Sequence, residues 1–164
     1  MFLNREYTTD FTSVEQSGIP KMEVTEMIIN KTLNIQSKGN CDMIDITSQI
    51  TKEIRNCNIN NGIATIFVSG STAGISTIEY EDGLISDFKN MWERNVPQNI
   101  PYQHDRRWGD GNGHSHVRAS LLGPSLVIPF ADKKMALGTW QQIIVIDFDN
   151  RPRSREIFLQ ISGE

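Results

Sequence analysis

A chain of 164 residues with 38% hydrophobic and 22% charged residues has globular composition and enough length for one sizeable core, so a single folding unit is expected. The formal net charge of -4 argues against nucleic acid as the main partner, because gripping a phosphate backbone needs a positive surface field. No stretch approaches the ~20 apolar residues of a membrane span, and MFLNREYTTDFTSVEQSG lacks the apolar core of a secretory signal, so a soluble cytoplasmic chain with no membrane partner is expected.

Residues 1–20 show no sustained period and end in the turn signal SGIPK, which marks them as an N-terminal extension to a domain over 21–164. MEVTEMIINKTLNIQS alternates loosely and suits one or two antiparallel strands. In DMIDITSQITKEIRNCN the period changes: Thr47 can cap a helix that carries Ile50, Ile54 and Cys57 on one face and ends near NINNG. Cys41 and Cys57 form no CxxC pair and read as structural thiols. Asn61-Gly62 supplies a turn, and the nearly continuous apolar run IATIFVSG reads as a central strand covered on both faces. EDGLISDFKNMWERNVP places Leu84, Ile85, Phe88, Met91 and Trp92 in a helical stripe closed by Pro97. Asn112 and Gly123-Pro124 bracket a further helix over 114–122. SLVIPF, MALGTW, QQIIVIDFD and REIFLQISG read as strands, with ADKK at hairpin length between the first two. This order implies an α+β fold: a single domain whose helices pack on a mostly antiparallel, mixed sheet.

The chemistry concentrates in HDRRWGDGNGHSHVRAS, which holds all three histidines. His104, His114 and His116, with Asp105 or Asp110, offer a mixed nitrogen and oxygen site for a divalent metal such as zinc or magnesium. In an extended segment His114 and His116 would share a face. In a helix they diverge, which leaves His104 with His116 as the pair and turns His114 away. A helix N-terminus attracts anions; Arg118 and Ser120 would add donors, and Arg106 or Arg107 a planar fork for phosphate. HDRRW and NRPRSRE are the local arginine concentrations. SGSTAG follows the buried strand, where the hydroxyls of Ser71 and Thr72 and two glycines could cradle an oxyanion, although the lysine of a P-loop is missing. Glu79 and Glu81 are either ligands or bases, or exposed acids ahead of a helix. In LGTWQQ, Thr139 and Gln141 are pocket donors, and Trp140 is a core or interface aromatic.

HVRASLLGPSLVIP followed by LGTWQQIIVIDFD resembles the YjbQ, or UPF0047, family, associated with a secondary thiamine-phosphate synthase activity. The likeness runs in order through DIT at Asp45–Thr47, STAG, the long helix, YQHD, HVRAS, LLGPS and LGTWQ. It implies a compact α+β subunit in a homotrimer, with a pocket near the subunit contacts that takes a small phosphorylated molecule. It also implies that His104 and His116 match recurring histidines at a metal or anion site, and that Arg118, Ser120, Ser125, Thr139, Trp140 and Gln141 match other recurrent positions. Many relatives open the STAG turn with a histidine where this chain has Gly70, and His114 is the residue expected to stand in for it. The implied reaction joins a hydroxymethylpyrimidine diphosphate to a thiazole phosphate, the pyrimidine stacking on Trp108 or Trp140. The alternatives are a non-catalytic small-molecule or metal-binding protein, and a metal-assisted phosphoester hydrolase with Glu79 as base.

Overall fold

The computed structural model describes residues 27–164, and the N-terminal extension lies outside them. In chain order the elements are β1 (Met27–Ser37), β2 (Asp42–Asp45), α1 (Thr47–Asn56), β3 (Gly62–Val68), β4 (Ala73–Ile78) and α2 (Asp82–Asn95). They continue with α3 (Gln103–Trp108), α4 (Gly113–Leu122), β5 (Ser125–Ala131), β6 (Lys134–Met135), β7 (Gln142–Asp147) and β8 (Arg153–Gly163). The strands form a five-stranded sheet in the order β1-β8-β3-β5-β6 and a three-stranded sheet in the order β2-β7-β4. Every pairing is antiparallel.

The layers follow from side-chain alternation. On the large sheet Ala64, Ile66 and Val68 of β3 and Ile157, Leu159 and Ile161 of β8 face inward against Ile143 and Val145 of β7, with Ile46, Ile50 and Ile54 of the α1 segment closing the same core. The opposite face of the small sheet presents Ile144 and Ile146, joined by Phe148, to Trp92 of α2 and Ala119 of α4. Trp92 meets Phe148 edge-on, centroids 4.9 Å apart. Each fully buried isoleucine contributes about 1.5–3 kcal/mol, so these two cores carry the fold.

The strand covered on both faces is therefore β7, whose residues Ile143 to Asp147 are all buried. β3 is central, as its composition predicts, but among the described residues it is covered on one face only: Ile63 and Phe67 are 42% and 43% exposed because no described layer packs on the outer side of the large sheet. Thr47 is the first residue of α1, not its cap; fully buried Ile46 occupies the cap position without a side-chain bond. The Thr47 hydroxyl donates to Asp45 and accepts from the Ile143 N–H at 2.8 Å, stitching α1 to β7. DMID ahead of the helix forms the strand β2, and the second half of the STAG motif opens β4. Of MALGTW, only Met135 is in a strand; Gly138 to Gln141 form a loop. The hairpin before it turns on Asp132 and Lys133, both at positive φ, the type I′ geometry that suits strand twist.

Candidate functional site

α3, the glycine-rich loop and α4 form one unit. Gly109 ends α3 in the left-handed region at φ 70°. Asp105 Oδ1 then accepts the Gly113 N–H at 2.8 Å, which satisfies the first turn of α4 and fixes the two helices together. Asn150 Nδ2 donates to the Asp110 carbonyl at 2.7 Å, pinning the loop to the β7–β8 turn.

This arrangement brings His104 Nδ1 to 3.3 Å from Asp110 Oδ1 and 3.7 Å from Asp105 Oδ1. Among the described residues this is the group whose histidine and carboxylate ligand atoms all lie within 4.8 Å of one another. His104 Nδ1 is shielded from solvent and has no hydrogen-bond partner among the described residues, as is also true of His114 Nδ1; a cation held with the Asp105 and Asp110 carboxylates would engage the first. One imidazole nitrogen and two carboxylates fit zinc, and the carboxylates alone fit magnesium. His116 stands against His104 with ring centroids 4.4 Å apart, and α4 sends His114 elsewhere, the divergence that helical spacing demands.

Asp110 also borders a cleft of about 250 Å³, lined by Asp110, Asn112, Asn150, Arg151 and Arg153. With its amide nitrogen turned to the carboxylate, Asn112 stands 3.2 Å from both Asp110 oxygens. Arg153 is held by Asp149 at 2.6 Å through Nε. Burial raises the Asp149 pKa, but the Arg153 hydrogen bond and charge outweigh it and hold the carboxyl below its ordinary value. A larger groove of about 490 Å³ runs along α1 past Lys52, Arg55 and Gln142, but among the described residues no grouped ligand atoms adjoin it.

The remaining predicted residues are dispersed. Arg118 is 2% exposed and spent internally: Nε and Nη2 donate to the Val96 carbonyl at 3.0 and 2.7 Å, and Nη2 to Glu93 Oε1 at 2.6 Å. It secures the end of α2 and does not line the cleft. His114, 2% exposed, packs near Tyr102, with Nε2 3.2 Å from Ser115 Oγ. Burial, reinforced by the Arg118 charge, holds it below the ordinary imidazole value. Thr72 is buried, donating to Asp149 at 3.2 Å and accepting from Arg155 Nη2 at 2.7 Å, whereas Ser71 is exposed beside it. Glu79 is exposed between β4 and α2, and Glu81 caps α2 by accepting from the Gly83 and Leu84 N–H groups. Arg106, Ser120 and Ser125 are exposed on α3, α4 and the start of β5. Thr139, Trp140 and Gln141 lie at the Gln142 end of β7, where the Gln141 amide donates to Thr77, whereas Thr72, Asp110 and Asn112 gather at the Asp147 end. Trp140 and Trp108 are 70% and 66% exposed.

The family model described as "UPF0047 protein YjbQ-like" matches residues 31–164. The chain belongs to the UPF0047 YjbQ-like family. A UPF0047 protein of Methanothermobacter thermautotrophicus is 36% identical over 137 residues, 84% of this chain and 94% of the relative. YugU of Bacillus subtilis, also a UPF0047 protein, is 32% identical over 134 residues, 81% of this chain and 98% of its own. The crystal structure of a YbjQ-like protein of unknown function from Sulfolobus solfataricus P2 superposes with a TM-score of 0.80 at 30% identity, covering 85% of this chain and all of that one. The α+β fold is thus that of the YjbQ-like proteins.

Within this UPF0047 chain, the side chain bordering Gly70 is Arg155, not His114: a Cβ built on Gly70 would stand 2.8 Å from Arg155 Nη1. Arg155 belongs to a buried network the sequence reading missed. Its Nε and Nη2 donate to Asp147 at 2.7 and 2.6 Å, and Ser37 Oγ donates to the same carboxylate at 2.6 Å. Parity was the available signal, since Arg155 alternates in register with inward-facing Ile157, Leu159 and Ile161.

Proposed function

We propose that this protein binds a small phosphorylated molecule beside a divalent cation held by His104, Asp105 and Asp110, and that the site performs thiamine-phosphate-synthase-like group transfer. The observation that carries this reading is the placing of Asp110: it belongs both to the group around the orphaned His104 nitrogen and to the cleft that Arg151 and Arg153 line. The planar guanidinium groups of those arginines suit bidentate pairing with phosphate oxygens. Asn112 and Asn150 hold the Asp110 segment in place from either side. A bound zinc or magnesium ion would supply charge neutralisation for a departing diphosphate.

A second reading, a binding protein without turnover, is favoured by one feature: Arg118, Glu79 and His114, the side chains expected to act in catalysis, do not line the cleft. A homotrimer is also proposed, supported by the outer face of the large sheet, which no described residue covers and where Ile63, Phe67, Val127 and Phe158 are 40 to 52% exposed. The two free, buried thiols suit a reducing cytoplasmic setting.

The test is metal content of the untagged full chain, wild type against His104→Ala and Asp110→Ala, followed by turnover of pyrimidine diphosphate with thiazole phosphate. About one ion per chain, lost in both variants, together with product formation supports the synthase reading. Metal and phosphate binding without product leaves the non-catalytic reading. No ion in the wild type after incubation with zinc or magnesium overturns the metal-dependent site.

A further inference from the structure

SGSTAG looks incomplete as a phosphate turn because it has no lysine. The fold supplies a cation from elsewhere. Arg155 is only 7% exposed, and Asp147 clamps its Nε and Nη2, while Nη2 also donates to Thr72. Nη1 makes no hydrogen bond among the described residues, and it lies where Gly70 has only a hydrogen. The Asp147 clamp uses Nε and Nη2 and leaves Nη1 free on the open side of Gly70, where a ligand can reach it.

The turn adds matching donors. Ser69, Gly70 and Ser71 are exposed. The Ser69 N–H is spent on the Glu156 carbonyl at 3.0 Å, but those of Gly70 and Ser71 donate to no described group. Gly70 adopts φ 131°, a region that L side chains rarely enter, so both the open approach to Nη1 and the backbone path depend on this residue being glycine.

We infer that the Ser69–Thr72 turn and Arg155 together form an anion site that takes one phosphoryl group. Arg155 Nη1, the Gly70 and Ser71 amides and the Ser71 hydroxyl are its donors, and Asp147 with Thr72 holds the guanidinium in place. The inference rests on, and deepens, the phosphorylated-ligand reading. Asp149 Oδ2 is 2.6 Å from Arg153 Nε and 3.7 Å from Arg155 Nη2, so the arginine of the cleft and the arginine of the turn share one carboxylate. The ligand class that engages both is a small molecule with two phosphoryl groups, a diphosphate ester among them.

The experiment is a titration of the full metal-free chain with inorganic phosphate, followed through backbone amides and ¹⁵N-labelled arginine side chains. The expected result is saturable shifts of the Arg155 guanidinium and the Gly70 and Ser71 amides, with affinity about tenfold weaker in Gly70→Ala, the worth of one charge-assisted hydrogen bond. Unmoved Arg155, Gly70 and Ser71 signals in the wild type overturn the inference, and so does undiminished affinity in a folded Gly70→Ala. If Gly70→Ala does not fold, the wild-type titration decides alone. Shifts at Arg153 and Asn150 without Arg155 overturn this site and spare the cleft; the reverse pattern spares this site and removes the cleft as a phosphate subsite.

Discussion

Replacing Asp147 by leucine tests whether the buried network holds the open end of the sandwich. The Asp147 carboxylate is fully buried and accepts from Arg155 Nε, Arg155 Nη2, Ser37 Oγ and the Asp149 N–H. Leucine has similar volume but leaves the Arg155 charge without its main partner, a change that costs about 3–5 kcal/mol for a buried pair. Asp149 still stands 3.7 Å from Nη2, which places the expected cost at the lower end, about 3 kcal/mol. Arg155→Met strands the carboxylate in its turn and costs a similar amount. The double variant removes both charges, leaves the Ser37 hydroxyl and Asp149 amide without their acceptor and takes one donor from the Thr72 hydroxyl, about 1–2 kcal/mol in all. Urea unfolding followed by far-UV dichroism reads this directly: with m of about 1–3 kcal/mol/M, each single variant loses roughly 1–3 M in midpoint and the double variant recovers about a third to two thirds of it. Single costs below about 1 kcal/mol, or a double cost equal to the sum of the singles, would refute the reasoning.

Three further outcomes are expected. Arg118→Met leaves the Val96 carbonyl and Glu93 Oε1 without their guanidinium donors and lowers stability by about 2–3 kcal/mol, whereas metal content stays unchanged; a fall in metal content at full stability would place Arg118 in the site after all. Acid is destabilising in two stages. His114 binds its proton more readily when unfolded, so stability present above 6.5 declines as pH falls below it, and Asp149 and Glu93 extend the decline below 3.8 and 4.5 for the same reason. Burial alone would raise Glu93, but the Arg118 hydrogen bond, the Gln98 backbone hydrogen bond and the Arg118 charge together outweigh it. Melting temperature against pH for wild type and His114→Gln checks the upper stage, which the variant should flatten; an unchanged slope assigns it elsewhere. Phe67→Lys, on the outer face of β3, should convert the proposed trimer into monomers by light scattering without altering the dichroism spectrum, and an unchanged assembly would move the contact off this face.

The fold was legible where period and length agreed. The stripe of α2, the helix after Asn112 and the alternation of β8 all declare themselves, because one face of each meets the core and the other meets water. An unbroken apolar run carries less information. IATIF and QIIVID read alike, yet only the second lies between two layers, and what decides it is the packing of α2 and α4 on the small sheet, which no local pattern encodes. AGISTI was hidden by its own glycine. A Cβ on Gly74 would stand 2.7 Å from the Gly123 carbonyl, so this residue serves the close approach of β4 to the end of α4 rather than a ligand. The histidine segment announced itself by composition, and helical spacing paired His104 with His116. Arg155 escaped because a charged residue at an inward position reads as a strand-edge exception until its acidic partner is found on another strand.

The dispersal of the predicted residues has its own consequence. β7 runs from Gln142 to Asp147, about 17 Å of extended chain. Thr139, Trp140 and Gln141 sit before its first residue, whereas Thr72, Asp147 and Asp149 gather at its last, with Asp110 tied to them through Asn150. A pyrimidine resting on Trp140 therefore cannot place its phosphoryl groups in the Asp110 cleft of the same chain, because its length falls short of that span. Two arrangements remain: a ligand confined to the Asp147 end, or a site completed by the Trp140 loop of a second copy. They separate under Trp140→Ala. Under the first, phosphate affinity and assembly both persist. Under the second, mixing assembled Trp140→Ala with assembled Asp110→Ala restores binding in the mixed oligomers, since each supplies the half the other lacks.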